Sequence, residues 1–226
     1  MEPRETTGHD PAWRQRTAGE HRWGAALAIV LAILLQLPLP SSILPAGRWV
    51  LPAVEAAVLV VLFAANPFRI DRESSVLRML ALANLLVVAA ANGWTVVLLL
   101  RRILTHEPIT PGRLLVAGGA VWLTNVIVFA LAYWEFDRGG PAVRASGRKQ
   151  YPDFLFAQMQ SPELAPPDWE PSFTDYLYLA FTNATAFSPT DVLPLSRWAK
   201  LLMLFQSAVA VIILVLVVAR AVNVLQ

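Results

Sequence analysis

Three stretches of the chain run for about the thickness of a bilayer without a single charge, and no other feature constrains the fold as strongly. Met79 to Leu100 holds 22 such residues, Leu114 to Trp134 holds 21 and Leu201 to Ala219 holds 19. A spanning helix needs about 20 mostly apolar residues, so each run predicts one crossing. Two further runs are shorter or interrupted. Trp23 to Gly47 is uncharged, but Pro38, Pro40 and Pro45 end any helix near Leu37. That leaves roughly 15 residues, about 22 Å of helix, which can cross only with bilayer thinning. Trp49 to Asn66 is long enough and carries one acid, Glu55. The reading is an all-α integral membrane protein of about five crossings.

Composition agrees. Only 15% of the residues are charged and 56% are hydrophobic, against about 25% charged in an ordinary soluble domain. The net charge of +2 comes from basic residues scattered along the chain, which argues against a nucleic-acid partner. Cysteine is absent, which removes disulfides, thiolate nucleophiles and zinc–thiolate sites. His9, His21 and His106 lie in the tail or a short loop, so neither haem ligation nor a histidine metal centre is expected. No nucleophile elbow or phosphate-cradling glycine loop is present. The expectation is no enzyme, no cofactor and no metal. Gly118 and Gly119 sit inside an apolar run, where close helix packing accounts for them.

Residues 1–22 are rich in charge, Thr and Gly and are expected to form a disordered tail. The apolar run that follows ends in Pro-Leu-Pro rather than a small-x-small cleavage site, and reads as a retained anchor. Residues 23–104 then form an N-terminal group of three spans, and residues 114–226 a second unit: outer helix 114–134, loop 135–172, short helix 173–187, turn 188–195 and inner helix 196–224. In the loop, Gly-Gly-Pro and a Pro-rich tail oppose regular structure. Its middle, Phe154, Leu155, Phe156 and Met159, forms either a short amphipathic turn on the membrane surface or a segment packed on the protein.

The stretch after this loop, "DYLYLAFTNATAFSPTDVLPLSRWAK", decides the second unit. Ser172 and Asp175 give the S-x-x-D form of a helix start behind Pro171, so a helix begins near Phe173. Ser188-Pro189 stops it after about four turns, roughly 20 Å, short of a bilayer about 30 Å thick. Either the chain turns back as a re-entrant pore loop, where irregular backbone is sheltered by protein or water, or the helix lies flat at the interface.

From Leu114 onward, this order of helix, loop and helix resembles the pore module of the tetrameric potassium channels. In register, Thr185 falls on a threonine ending the pore helix, Asp191 on the acid after the filter and Pro194 on a closing proline. The Gly-Tyr-Gly positions read Ser188, Pro189 and Thr190. Proline fixes φ and the other two carry a Cβ, so the carbonyl ladder of a potassium filter is not expected. The chain is also similar to an uncharacterised bacterial family of integral membrane proteins. Shared with it are an aromatic short helix (Tyr176 to Phe181), a Thr/Ser turn, Ser/Thr-x-Asp-Val (Pro189 to Val192 here), a basic cluster (Arg197 to Lys200) and a final helix ending in Ala221-Val-Asn223.

The first resemblance implies a channel-like protein; the second implies a bacterial inner or plasma membrane and brings no biochemical activity with it. Ions or small solutes would pass a non-potassium constriction built from Thr185, Ser188, Pro189, Thr190 and Asp191. One copy cannot surround a pore, so a homo-oligomer, a tetramer by analogy, is implied. The competing reading is a non-conducting scaffold or accessory subunit that keeps the pore-loop fold as packing.

With five crossings, thirteen basic residues fall on the side of the N-terminus and the re-entrant loop, and five on the other. The positive-inside rule places the first side in the cytoplasm, whereas potassium channels carry that loop outside. Within the spans, Asn84, Asn92, Thr124, Asn125, Gln206 and Ser207 are expected to hydrogen-bond neighbouring helices. Glu55 either reaches the headgroups from its helix end or marks an ion or proton route.

Overall fold

The computed structural model describes residues 11–39, 49–65, 70, 74–105, 110–185 and 191–225. It is mostly helical, and three helices are long and apolar enough to cross a membrane: α3 (Ser75–Leu104), α4 (Pro111–Phe136) and α8 (Arg197–Leu225). They coincide with the three uncharged runs. At 1.5 Å per residue they are about 39 to 45 Å long. Two shorter apolar helices precede them, α1 (Trp23–Gln36) and α2 (Val50–Ala65). Pro38 follows one residue beyond the cap of α1, where its ring and missing N–H forbid continuation.

The helix starts follow local chemistry. Ser74 Oγ accepts from Leu77 N at 3.4 Å and Ser196 Oγ from Ala199 N at 3.4 Å, which satisfies donors the first turns of α3 and α8 leave free. α4 opens with Pro111 at its first position, where no N–H is needed. α7 (Phe173–Thr185) begins where the S-x-x-D pattern places it. The Asp175 carboxylate accepts from Ser172 N at 2.8 Å and from Ser172 Oγ at 3.0 Å.

α4 is the hub, in contact with α1, α3, α7 and α8. Of its most apolar stretch 72% is buried, against 28% for α8, although both are uncharged there. α8 runs antiparallel to α4: Trp198 meets Phe136, Phe205 meets Phe129, and Val217 meets Gly118. A Cβ on Gly118 would lie 2.6 Å from a Val217 methyl, so this glycine sets the distance between the two helices. Gly119 faces open space, so close packing explains only the first of the pair.

α7 also runs antiparallel to α4. Phe173 lies edge-on to Trp134 and Phe181 to Trp122, with ring centroids 6.0 and 5.7 Å apart. Thus α7 and α8 both start at the C-terminal end of α4, and α7 stops about halfway along it.

Two expectations need correction. The segment 11–22 is packed, not a disordered tail: Ala12–Arg14 forms a 3-10 turn, Trp13 is buried, and Thr17 N donates to Ala145 O. The loop after α4 carries regular structure in place of linker. It holds α5 (Pro141–Ala145), β1 (Phe154–Leu155) and α6 (Ala157–Gln160), and β1 pairs antiparallel with β2 (Leu193–Pro194). Phe154, Phe156 and Met159 are buried. Their rings and sulfur face the protein, with Phe154 against Tyr133, Tyr176 and Trp198, so of the two readings of this segment the packed one holds.

Candidate functional site

α4, α7 and α8 pack against one another, and a polar clamp fixes their arrangement. Gln206, with no exposed surface, donates through Nε2 to Ala180 O at 2.8 Å; its Oε1 accepts from Tyr133 OH at 2.6 Å and from Asn183 Nδ2 at 2.7 Å. Asn183 also donates to Met203 O at 2.9 Å, and Ser207 Oγ donates to the backbone and side-chain oxygens of Asn183 at 3.0 and 3.1 Å. Every member of this set is neutral. Interhelical hydrogen bonds in membranes contribute about 0.6 kcal/mol each, so the clamp orients α7 more than it stabilises the bundle. Gln206 lies nine residues into α8, about 14 Å from its start.

Above the clamp, a cap of charged groups closes the end of α4. The chain turns sharply there through Arg138, Gly139 and Gly140, at φ 51°, 85° and 101°. Only glycine adopts the last two without steric cost. Arg138 holds its left-handed conformation because its N–H donates to Asp153 Oδ2 at 2.9 Å and its Nη1 to Trp13 O at 2.6 Å.

Asp137 is fully buried; it accepts from Tyr176 OH at 2.6 Å and from Asp153 N at 2.8 Å. Arg144 donates to the carbonyls of Trp134 and Asp137, lies 5.0 Å from the Tyr176 ring centre and pairs with Glu20 at 3.7 Å. Glu20 in turn accepts from Trp134 Nε1 at 2.6 Å and from the backbone N–H of Phe173, the first residue of α7. A carboxylate on the free donors of a helix start is favoured by the helix dipole. Burial nevertheless pushes the Glu20 carboxyl above its ordinary value, with Arg144, Trp134 and Phe173 opposing. Trp198 Nε1 donates to Asp153 Oδ1 at 2.9 Å, which ties α8 to the same cap.

Of the expected constriction, Ser188, Pro189 and Thr190 lie outside the described residues. Thr185, at the end of α7, is half-buried and donates its hydroxyl to Thr182 O at 2.9 Å. Asp191 is exposed, two residues before β2. Glu55 lies in the other half of the molecule. It has no exposed surface and accepts from Gln36 Nε2 at 2.9 Å, which joins α2 to α1. It therefore points inward to a helix partner and not outward to headgroups.

Gln206 and Ser207 bond across helices as expected, whereas Thr124 donates to Ala120 O of its own helix at 2.8 Å. Asn183 and the Glu20–Arg144–Asp137 set were not singled out by the sequence reading. The signal available was the amide of Asn183 in the last turn of α7, following the apolar run Tyr176–Phe181, where an amide requires partners. Among the described residues no group of His, Cys, Asp and Glu is arranged to hold a metal ion. None of the family models, curated proteins or solved structures compared with the chain matches it.

Proposed function

We propose that the chain is a multi-pass membrane protein with α1 and α2 as additional crossings, and that residues 114–226 form a pore-module-like unit working in an oligomer. On this reading α7 enters the bilayer to half its depth, the chain is back on the side it came from by Leu193–Pro194, which pair with β1, and α8 crosses. The observation that carries the proposal is the shared starting level of α7 and α8 at the C-terminal end of α4, marked by Phe173 on Trp134 and Trp198 on Phe136, combined with the 13-residue length of α7. A helix of that length covers about 20 Å, and the return must be sheltered by protein or water. The exposed flank of α8 supplies a surface for neighbouring copies. Thr185, the turn 188–190 and Asp191 would line the constriction, and the basic residues favour a cytoplasmic cap.

One observation favours the non-conducting alternative, a scaffold or accessory subunit. The hydroxyls of Thr182 and Thr185 are both spent on carbonyls of α7 itself, and Asn183 is consumed by the clamp. Purified protein in planar bilayers separates the two. A pore gives single-channel steps whose size or ion preference changes in Asp191→Asn. Absence of conductance above empty bilayers, or a monomer in mild detergent, rejects the pore and leaves the scaffold.

A further inference from the structure

A cavity of about 260 Å³ opens on the cap side of the bundle, between α1, α2, α3, the C-terminal end of α4 and residues Gly139–Val143, away from α7 and α8. Its walls are divided in chemistry. Ile29 and Leu85 belong to the apolar part, and Arg22, Arg78, Asn84 and Glu135 supply the polar groups. Two of those polar groups are unfinished. Arg22 is 8% exposed and Asn84 3% exposed, and Arg22 Nε and Asn84 Oδ1 are buried with no hydrogen-bond partner. A buried polar atom left unpaired is destabilising, so two at one cavity point to an occupant that completes them.

The charges narrow its chemistry. Glu135, 6% exposed, lies within electrostatic reach of Arg144, which is outside the cavity lining, and of the two lining arginines Arg78 and Arg22, yet among the described residues none of them forms an ion pair with it. The three lining charges face the same space without closing on one another. Two guanidiniums against one carboxylate leave the site net positive, and guanidinium matches phosphate oxygens with paired hydrogen bonds. Asn84 Oδ1 and the Glu135 carboxylate are acceptors and require donors. Arg78 is exposed on the first turns of α3, and Asn84 lies six residues further in, about 9 Å along the helix axis. The site is thus basic at its mouth and both polar and apolar within.

We propose that this cavity binds a membrane phospholipid whose headgroup carries hydroxyl or ammonium donors besides its phosphate. The phosphate sits between Arg22 and Arg78, the headgroup donors meet Glu135 and Asn84, and the start of an acyl chain lies against Ile29 and Leu85. The proposal does not depend on the pore reading, since no lining residue belongs to α7 or α8.

The test uses the full chain in mild detergent, with bound lipid counted by native mass spectrometry and stabilisation read from tryptophan fluorescence on heating. Phosphatidylglycerol or phosphatidylethanolamine is expected to bind and raise the unfolding temperature, and phosphatidylcholine, whose headgroup lacks donors, to do neither. Arg78→Gln, at an exposed position that the fold does not need, should weaken binding about tenfold, the value of one charge-assisted hydrogen bond. Ala81→Phe, which fills the cavity without touching a charge, should abolish it. Undiminished lipid binding by Arg78→Gln overturns the proposal, whether or not Ala81→Phe folds. Equal protection by inorganic phosphate replaces the lipid with a free anion, and equal binding of phosphatidylcholine removes the headgroup argument.

Discussion

The cap at the C-terminal end of α4 and the clamp beneath it both bury polar side chains, yet the cap uses charges and the clamp uses none. In the cap, Glu20, Asp137, Arg138 and Arg144 are held by one another, by backbone groups and by Tyr176 and Trp134. In the clamp, Gln206, Asn183, Tyr133 and Ser207 share neutral hydrogen bonds. Depth accounts for the difference. A charge near the middle of a bilayer costs several kcal/mol even after relaxation, whereas an amide finds partners at modest cost. At the end of a bundle, ion pairs tolerate burial when backbone groups satisfy their remaining lone pairs and protons. The cap gathers segments from Trp13, Trp134, Asp153, Phe173 and Trp198 into one place, and the clamp only sets the rotation of α7 between α4 and α8.

Four substitutions bear on that contrast. The largest effect is expected from Arg144→Met. It leaves Glu20 and Asp137 short of their buried cation, and breaking such a set costs about 3–5 kcal/mol. Tryptophan-reported unfolding in detergent should fall steeply, and limited proteolysis should open the 135–172 segment. An unfolding temperature near that of the unmodified protein would mean the cap holds together by packing alone.

A smaller loss is expected for Gln206→Leu, which leaves the Tyr133 hydroxyl without an acceptor and takes one partner each from Ala180 O and from Asn183 Nδ2, the latter keeping Met203 O. The cost is about 1–3 kcal/mol, with the cap still resistant to protease. Gln206→Glu sharpens the point, because it keeps an acceptor but brings a charge to this depth. It should destabilise more than Gln206→Leu at neutral pH and recover on acidification.

The smallest effect is a pH dependence centred on Glu20. Its carboxyl is raised from an ordinary value of 4.5, first by burial. The fold therefore favours the protonated form, and the stability this contributes is complete below about pH 4.5 and lost as pH rises through the folded value. The unfolding temperature of the unmodified protein should decline across that window relative to Glu20→Gln. A rise would show that Arg144 and the α7 start outweigh burial.

Much of the helical framework was legible in the residues themselves. The three uncharged runs became α3, α4 and α8 because only a helix satisfies its backbone internally over that length in lipid. Ser172 and Asp175 announced the start of α7 because capping is local chemistry between residues three apart. Gln206 and Ser207 were legible as interhelical donors, since a polar group in an apolar helix needs a partner. The identity of the partner was not legible. Asn183 and Gln206 are 23 residues apart, and Thr17 and Glu170 in the cap are bonded across 153. The packing of residues 11–22 was missed for the same reason: a short polar segment has no periodicity of its own, and it is held by Arg138 at Trp13 and by Ala145 O at Thr17 N, both more than 120 residues away in the chain.

The sequence by itself determined that this chain is helical, that three of its helices match a bilayer in length and apolarity, and where α7 begins, because each of these rests on contacts within a few residues. Only the tertiary structure decided that α4 is the buried hub and α8 the exposed flank, although each is built on a long uncharged run. It also decided that Glu55 turns inward to Gln36 and that the N-terminal segment closes the cap. Those outcomes depend on which surfaces meet, and a Gly118 that admits Val217 or a Glu20 that reaches the first N–H of α7 acts only once distant parts of the chain have been brought together.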